Sequence, residues 1–167
     1  MQQPIVISGA GILGCYISCA LSLQGIDSIV LEKKDDEVED SVRTITLNPF
    51  SKNLLDKIGI ENDYSMINKM EVKDFDGTGK IVFKSSEIGM NHLAYVSDFA
   101  ALLMAVRKKA SEKILYKEEI IDIDNKGDFN KVTLSSGKVI KTNLIISSDG
   151  KNSKLANKIP KSDKDYF

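Results

Sequence analysis

Tryptophan is absent, histidine occurs once, and cysteine and arginine occur twice each in a chain of 167 residues. His92 has no serine or cysteine around it in a pattern that would mark a nucleophile and its base, so a surface or hydrogen-bonded histidine is expected. One histidine and two cysteines are too few for a zinc set, and no metal is expected. Cys15 and Cys19 stand four apart on a predicted helix, where two small core side chains fit better than a disulfide. No apolar run approaches the roughly 18 to 20 residues needed to cross a bilayer. Met1 to Pro4 leads directly into a strand without a basic leader, and a cytoplasmic location is expected. Charge of either sign is also lacking in excess: 23 basic and 24 acidic residues give a formal net charge of −1. With no basic block to track a phosphate backbone, nucleic acid is not an expected partner. Against a lysine background, Arg43 and Arg107 each raise a question, because a planar guanidinium fork does work that lysine cannot copy.

What is present is a 42% hydrophobic chain of the size of one ordinary domain, and one folded unit over residues 1–167 is expected. Ile5 to Ile7 is a short apolar run, the pattern of a buried parallel strand. Ile12 to Leu23 reads as a helix stopped by Gly25, and Ser28 to Glu32 as a second buried strand. A charged stretch, Lys33 to Asp40, reads as a solvated loop. Pro49 opens a short helix with Leu54, Leu55 and Ile58 on its apolar side. Met70 to Phe83 reads as a hairpin around Asp76 to Gly79. Phe99 to Ala110 is an amphipathic helix capped by Ser97 or Asp98, followed by a strand near Ile114 to Tyr116. Ile120 to Ile123, Lys131 to Leu134 and Val139 to Lys141 form a predicted meander, with turns at 126–128 and 136–137. Leu144 to Ile146 is a last buried strand, and Asn152 to Lys158 a last helix.

Gly9, Ala10, Gly11, Ile12, Leu13 and Gly14 form G-x-G-x-x-G directly after a strand and at the opening of a helix. Gly9 permits the tight turn, Gly11 lets a pyrophosphate approach the backbone, and Gly14 lets helix pack on strand. The helix N-terminus offers N–H groups and partial positive charge to a diphosphate. Glu32 ends the second strand about twenty residues later, where a carboxylate accepts from adenosine ribose hydroxyls. The fingerprint fits any ADP-containing dinucleotide, FAD or NAD alike.

Three further segments accompany it: Glu32 with Lys33; Arg43, Thr44, Ile45, Thr46, Leu47, Asn48 with Ser51, Leu54 and Leu55; and Ser148, Asp149, Gly150, Lys151, Asn152, Ser153. With the glycine turn, and with Tyr95 and Val96 before the helix at Phe99, they resemble the flavin-dependent aromatic monooxygenases of the p-hydroxybenzoate hydroxylase type, especially the ubiquinone-biosynthesis hydroxylases. The resemblance implies an α/β, Rossmann-type FAD/NAD(P)-binding domain with a parallel central sheet and an added antiparallel β-meander, truncated before the substrate domain. It implies FAD as cofactor, NAD(P)H as reductant, and an aromatic, polyprenyl phenol-like substrate. It places Gly9, Gly11, Gly14, Glu32, Lys33, Arg43, Asp149 and Gly150 at the cofactor, with Arg43 reaching toward it and Asp149–Gly150 helping to hold it. No catalytic residue is assigned.

Two departures mark this chain. Ala156 stands where the family has an arginine seven residues after its aspartate, and the family continues beyond this length into a substrate-covering sheet and a Gly-Asp motif for the ribityl chain. Asp165, Tyr166 and Phe167 resemble the start of the next family strand. The leading expectation is therefore the FAD-holding part of an aromatic hydroxylase, served by a separately encoded C-terminal half and peripheral to an inner membrane. The competing readings are a non-catalytic nucleotide-binding module or degenerate remnant and, third, a small NAD-dependent dehydrogenase, for which no Tyr and Lys or His set is evident.

Overall fold

The computed structural model describes residues 3–38, 42–125, 127–150, 153 and 155. In chain order the strands and helices are β1 (Ile5–Ser8), α1 (Ile12–Leu23), β2 (Ser28–Glu32), β3 (Thr44–Leu47), α2 (Pro49–Lys57), β4 (Ser65–Ile67), β5 (Lys69–Lys73), β6 (Lys80–Lys84), β7 (Ala94–Asp98), α3 (Phe99–Lys109), β8 (Ile114–Tyr116), β9 (Ile120–Asp124), β10 (Asn130–Leu134), β11 (Val139–Thr142) and β12 (Ile145–Ser147). The helix expected over 152–158, with Ala156 and the residues at 165–167, lies outside the described residues, apart from Ser153 and Leu155. These elements group into two compact units, one from the residues up to Glu37 and from Val106 onward, the other from Val38 to Ala105.

The first unit is built on a parallel sheet of order β12-β1-β2-β8. Register pairs Val6 with Ile29 and Ile145, and Val30 with Ile114. Because strand side chains alternate, β1 and β2 present two apolar faces, which is why their runs are continuously hydrophobic. One face packs Val6 and Leu31 against Val132, Leu134 and Ile140 of the antiparallel meander β9-β10-β11. The other receives α1, whose buried residues are Gly14, Cys15, Ser18 and Cys19. Small residues at that spacing let the helix lie close to the strands. Two buried hydroxyls satisfy each other across the contact, Ser18 Oγ to Ser28 Oγ at 2.8 Å. Burial pushes the Cys15 thiol up to about 12, and the Cys19 thiol in the same direction. The last strand runs one residue later than expected, over 145–147 rather than 144–146.

The second unit holds an antiparallel sheet of order β3-β7-β4 and the separate hairpin β5-β6. The three-stranded sheet was not expected as a sheet. Its members are three to five residues long, and only one residue of β3, Leu47, is buried, so no strong apolar pattern announces it. Asn48 caps α2 by accepting from the Ser51 N–H at 2.7 Å, with Pro49 just inside the helix. Of the two caps considered for α3, Asp98 accepts from the Ala101 N–H at 2.7 Å, whereas Ser97 Oγ contacts Asn62. His92 is hydrogen-bonded through Nδ1 to Asn68 Oδ1 at 2.7 Å.

Candidate functional site

The glycine turn joins β1 to α1 and is held from both sides. The Gly9 N–H donates to the Leu31 carbonyl at 2.8 Å, and the Ser148 hydroxyl lies 2.8 Å from the Ser8 carbonyl oxygen and 3.0 Å from that of Gly9. The segment after β12 therefore presses directly on the turn. Gly9 has φ +101°, and a Cβ there would lie 2.7 Å from the Ser148 carbonyl oxygen and 2.8 Å from Asp149 Cα. A Cβ on Gly14 would run into the Gly9 carbonyl oxygen and come within 2.6 Å of Ser148 Oγ. Both glycines are thus required by the fold itself.

Gly11 differs. Its backbone, φ −74° and ψ 178°, is open to any residue, and a Cβ there would meet nothing within 4 Å. It caps α1, whose first-turn N–H groups have no partner inside the helix and whose first turn carries no acidic residue. The space in front of Gly11 is a cradle that a Cβ would enter, beside donors suited to an anion. Glycine here answers to something other than the chain's own packing.

Glu32 ends β2 beside this turn. Its Oε2 accepts from the Ala10 N–H at 3.0 Å and its Oε1 from the Lys34 N–H at 3.1 Å. A carboxylate has about four acceptor sites, so two such bonds leave capacity for hydroxyl donors. The next turn of the wall comes from the segment after β8, where the Glu118 N–H donates to the Glu32 carbonyl at 3.0 Å and the Lys117 N–H to that of Lys34 at 3.1 Å. Glu118 is itself fixed by Ser136 and Ser135, whose donated hydrogen bonds lower its carboxyl below the ordinary range. On the far side, Ser147 Oγ donates to Asp149 Oδ1 at 2.6 Å, and Gly150 takes φ +81°, a left-handed conformation that favours glycine.

These residues surround a cavity of about 340 Å³, lined by Gly9, Gly11, Glu32, Lys33, Asp149 and Gly150 among others. Gly14 is buried in the first turn of α1 and does not line it. Arg43 belongs to the second unit, exposed at the entry to β3 with its guanidinium 4.4 Å from the centre of the Phe99 ring. Two residues that the sequence reading left out of the site belong to its frame. Ser148 could have been taken from its place just before Asp149. Arg107 lines the cavity, and its only signal was the scarcity of arginine.

A parallel sheet with a glycine turn, a helix N-terminus and an acid at the end of the second strand defines a dinucleotide-binding protein of the Rossmann class. The chain belongs to the FAD binding domain family, whose model it matches over residues 2–165. It is 26% identical over 177 residues to the mitochondrial ubiquinone biosynthesis monooxygenase COQ6 of Danio rerio, covering 89% of this chain and 36% of that protein. It is 25% identical over 170 residues to the 3-demethoxyubiquinol 3-hydroxylase of Escherichia coli, covering 92% of this chain and 43% of that one. The chain thus spans less than half the length of these relatives. Among solved structures it resembles a variant of PqsL from P. aeruginosa, with TM-score 0.80 and 20% identity over 99% of this chain and 48% of that one. It also resembles the p-nitrophenol 4-monooxygenase PnpA of Pseudomonas putida, with TM-score 0.76 and 16% identity over 94% and 43%. The two structures show the shared fold; the family match makes FAD the cofactor. Among the described residues, no helix is long and apolar enough to cross a membrane.

Proposed function

We propose that this chain holds the ADP half of FAD in the cavity of its first unit and serves an aromatic-ring monooxygenase of the ubiquinone-biosynthesis type. The observation that carries the reading is the contrast among the glycines: Gly9 and Gly14 answer to packing, whereas Gly11 opens onto the cradle at the helix N-terminus. In this reading Gly11 and the first turn of α1 receive the diphosphate, Glu32 takes the ribose hydroxyls, and Lys33 supplies positive charge beside them. Asp149 and Gly150 close the opposite wall, and Arg43 serves the flavin side.

When bound, FAD supplies the redox chemistry by which a monooxygenase, reduced by NAD(P)H, places oxygen on an aromatic ring. The residues here bind and orient. Shielding the reacting end from water falls to polypeptide of the kind that makes up the rest of the longer relatives, whether joined to this chain or supplied as a companion. A polyprenyl phenol as substrate would bring a cytoplasmic protein to the face of an inner membrane.

The test is calorimetric titration with ADP and FAD. Gly11→Val should weaken ADP by at least about tenfold while leaving unfolding free energy within about 0.5 kcal/mol of the parent, since the site is open and the backbone ordinary. FAD should bind more tightly than ADP, and Arg43→Lys should narrow that gap. Equal ADP affinity in the parent and in Gly11→Val would remove the turn from the site.

A further inference from the structure

Ala10, the middle residue of the glycine turn, is clamped at both ends of its backbone. Its N–H is taken by Glu32 Oε2 at 3.0 Å, and its carbonyl oxygen accepts from Arg107 Nε at 2.9 Å. The same guanidinium closes the figure, with its terminal nitrogen 3.6 Å from Glu32 Oε2 and a longer bond to the Asp36 carbonyl at 3.4 Å. Its carbon sits 5.8 Å from the centre of the Tyr116 ring. Both charged side chains are largely buried, Arg107 at 11% exposure and Glu32 at 12%. A largely buried guanidinium that divides its donors among two carbonyls and the Glu32 carboxylate around this turn is a costly arrangement unless orientation depends on it.

The geometry has a direct mechanical meaning. In a trans peptide the carbonyl of Ala10 and the N–H of Gly11 point opposite ways, so holding the carbonyl toward Arg107 aims the Gly11 N–H away from it. Holding Glu32 Oε2 between the Ala10 N–H and Arg107 fixes the plane of the carboxylate, and with it the direction of the remaining acceptor sites. One side chain thereby sets both the donor of the cradle and the acceptor beside it.

We propose that Arg107 is a positioning residue for the nucleotide, locking Glu32 and the Ala10–Gly11 peptide so that the site selects a ribose bearing its 2′-hydroxyl. The proposal rests on the ADP reading above. Lysine cannot replace it, because a single ammonium cannot serve the carbonyl and the carboxylate in the same planar fork.

The experiment compares the affinity of the full chain for ADP and for 2′-deoxy-ADP, in the parent and in Arg107→Met and Arg107→Lys, with thermal melting as a check on folding. A hydrogen bond to a carboxylate gives the parent a preference for ADP of about tenfold or more. That preference should fall below about threefold in both variants, with ADP losing more than the deoxy analogue. A purely structural role would lower both affinities by the same factor, and an unchanged ratio in either folded variant would overturn the proposal. If Arg107→Met does not fold, the ratio in Arg107→Lys decides. If the parent itself fails to bind ADP, the nucleotide reading falls and this one with it; a parent that discriminates and variants that discriminate equally would sink the arginine's role alone.

Discussion

In the first unit the strand residues Val6, Ile7, Val30 and Leu31 keep no more than 1% of their surface, whereas in the second the hairpin residues Val72, Ile81 and Phe83 keep 49 to 58%. The registers explain the difference. The parallel strands are covered on one face by α1 and on the other by the meander, so every side chain has a neighbour. The hairpin pairs Val72 with Ile81 and Met70 with Phe83 on one face, and sets Glu71 among Lys69, Lys73 and Lys80 on the other. Two strands alone give little independent stability, and surface ion pairs add little more. The covered parallel strands of the first unit give its glycine turn a frame that the hairpin lacks.

The sharpest way to break this contrast is at the glycine turn of the first unit. Gly9→Ala should cost about 3 kcal/mol or more, because it joins a left-handed φ to a clash with backbone atoms that have no way to yield. Chemical denaturation measures it, and a loss under about 1 kcal/mol would mean that the turn and the segment at Ser148 are looser than their distances imply.

A matched pair of substitutions comes next. Val30→Thr puts a hydroxyl on a fully buried strand position and should cost about 1 to 3 kcal/mol. Ile81→Thr, at 58% exposure, should stay within about 0.5 kcal/mol. Equal costs in the two would show that the hairpin is covered in solution.

The smallest effect lies at the edge of the first unit, where Lys113 Nζ donates to Asp27 Oδ1 at 2.6 Å. That hydrogen bond, helped by the lysine's charge and the Ser28 N–H, holds the Asp27 carboxyl below its ordinary value. A depressed folded value means the contribution is present above the ordinary carboxylate range and fades as pH falls through the folded value. Asp27→Asn should therefore remove a slight acid sensitivity and leave neutral stability nearly unchanged, since the pair is exposed to solvent. Melting temperatures across an acid series would show it, and a large neutral-pH loss would contradict it.

How much of this was legible in the sequence depended on whether neighbours in space were neighbours in the chain. The strand, turn and helix from Ile5 to Leu23 are contiguous, and the spacing to Glu32 is short, so the glycine turn and its acid could be read directly. The meander was legible for the same reason, through its turns. Arg107 was not, because its carbonyl partner Ala10 is 97 residues away and nothing local marks that bond. The sheet β3-β7-β4 was missed because short, half-exposed strands carry little periodicity. The Thr44 to Leu47 stretch stood out by its likeness to a family segment rather than by its pattern as a strand.

The pairing of β1 with β12 also imposes a timetable. The carbonyl of Ser8 waits for the hydroxyl of Ser148, 140 residues later, and Val6 waits for Ile145 as its strand neighbour. During synthesis β1 and β2 can pair early, but one edge of β1 stays unsatisfied until the far strand emerges from the ribosome. Long-range closure of this kind slows folding and leaves a sticky edge open in the meantime. The cavity wall at Asp149 and Gly150 arrives with that last strand, so the cavity is complete only after nearly all of the described chain has been made.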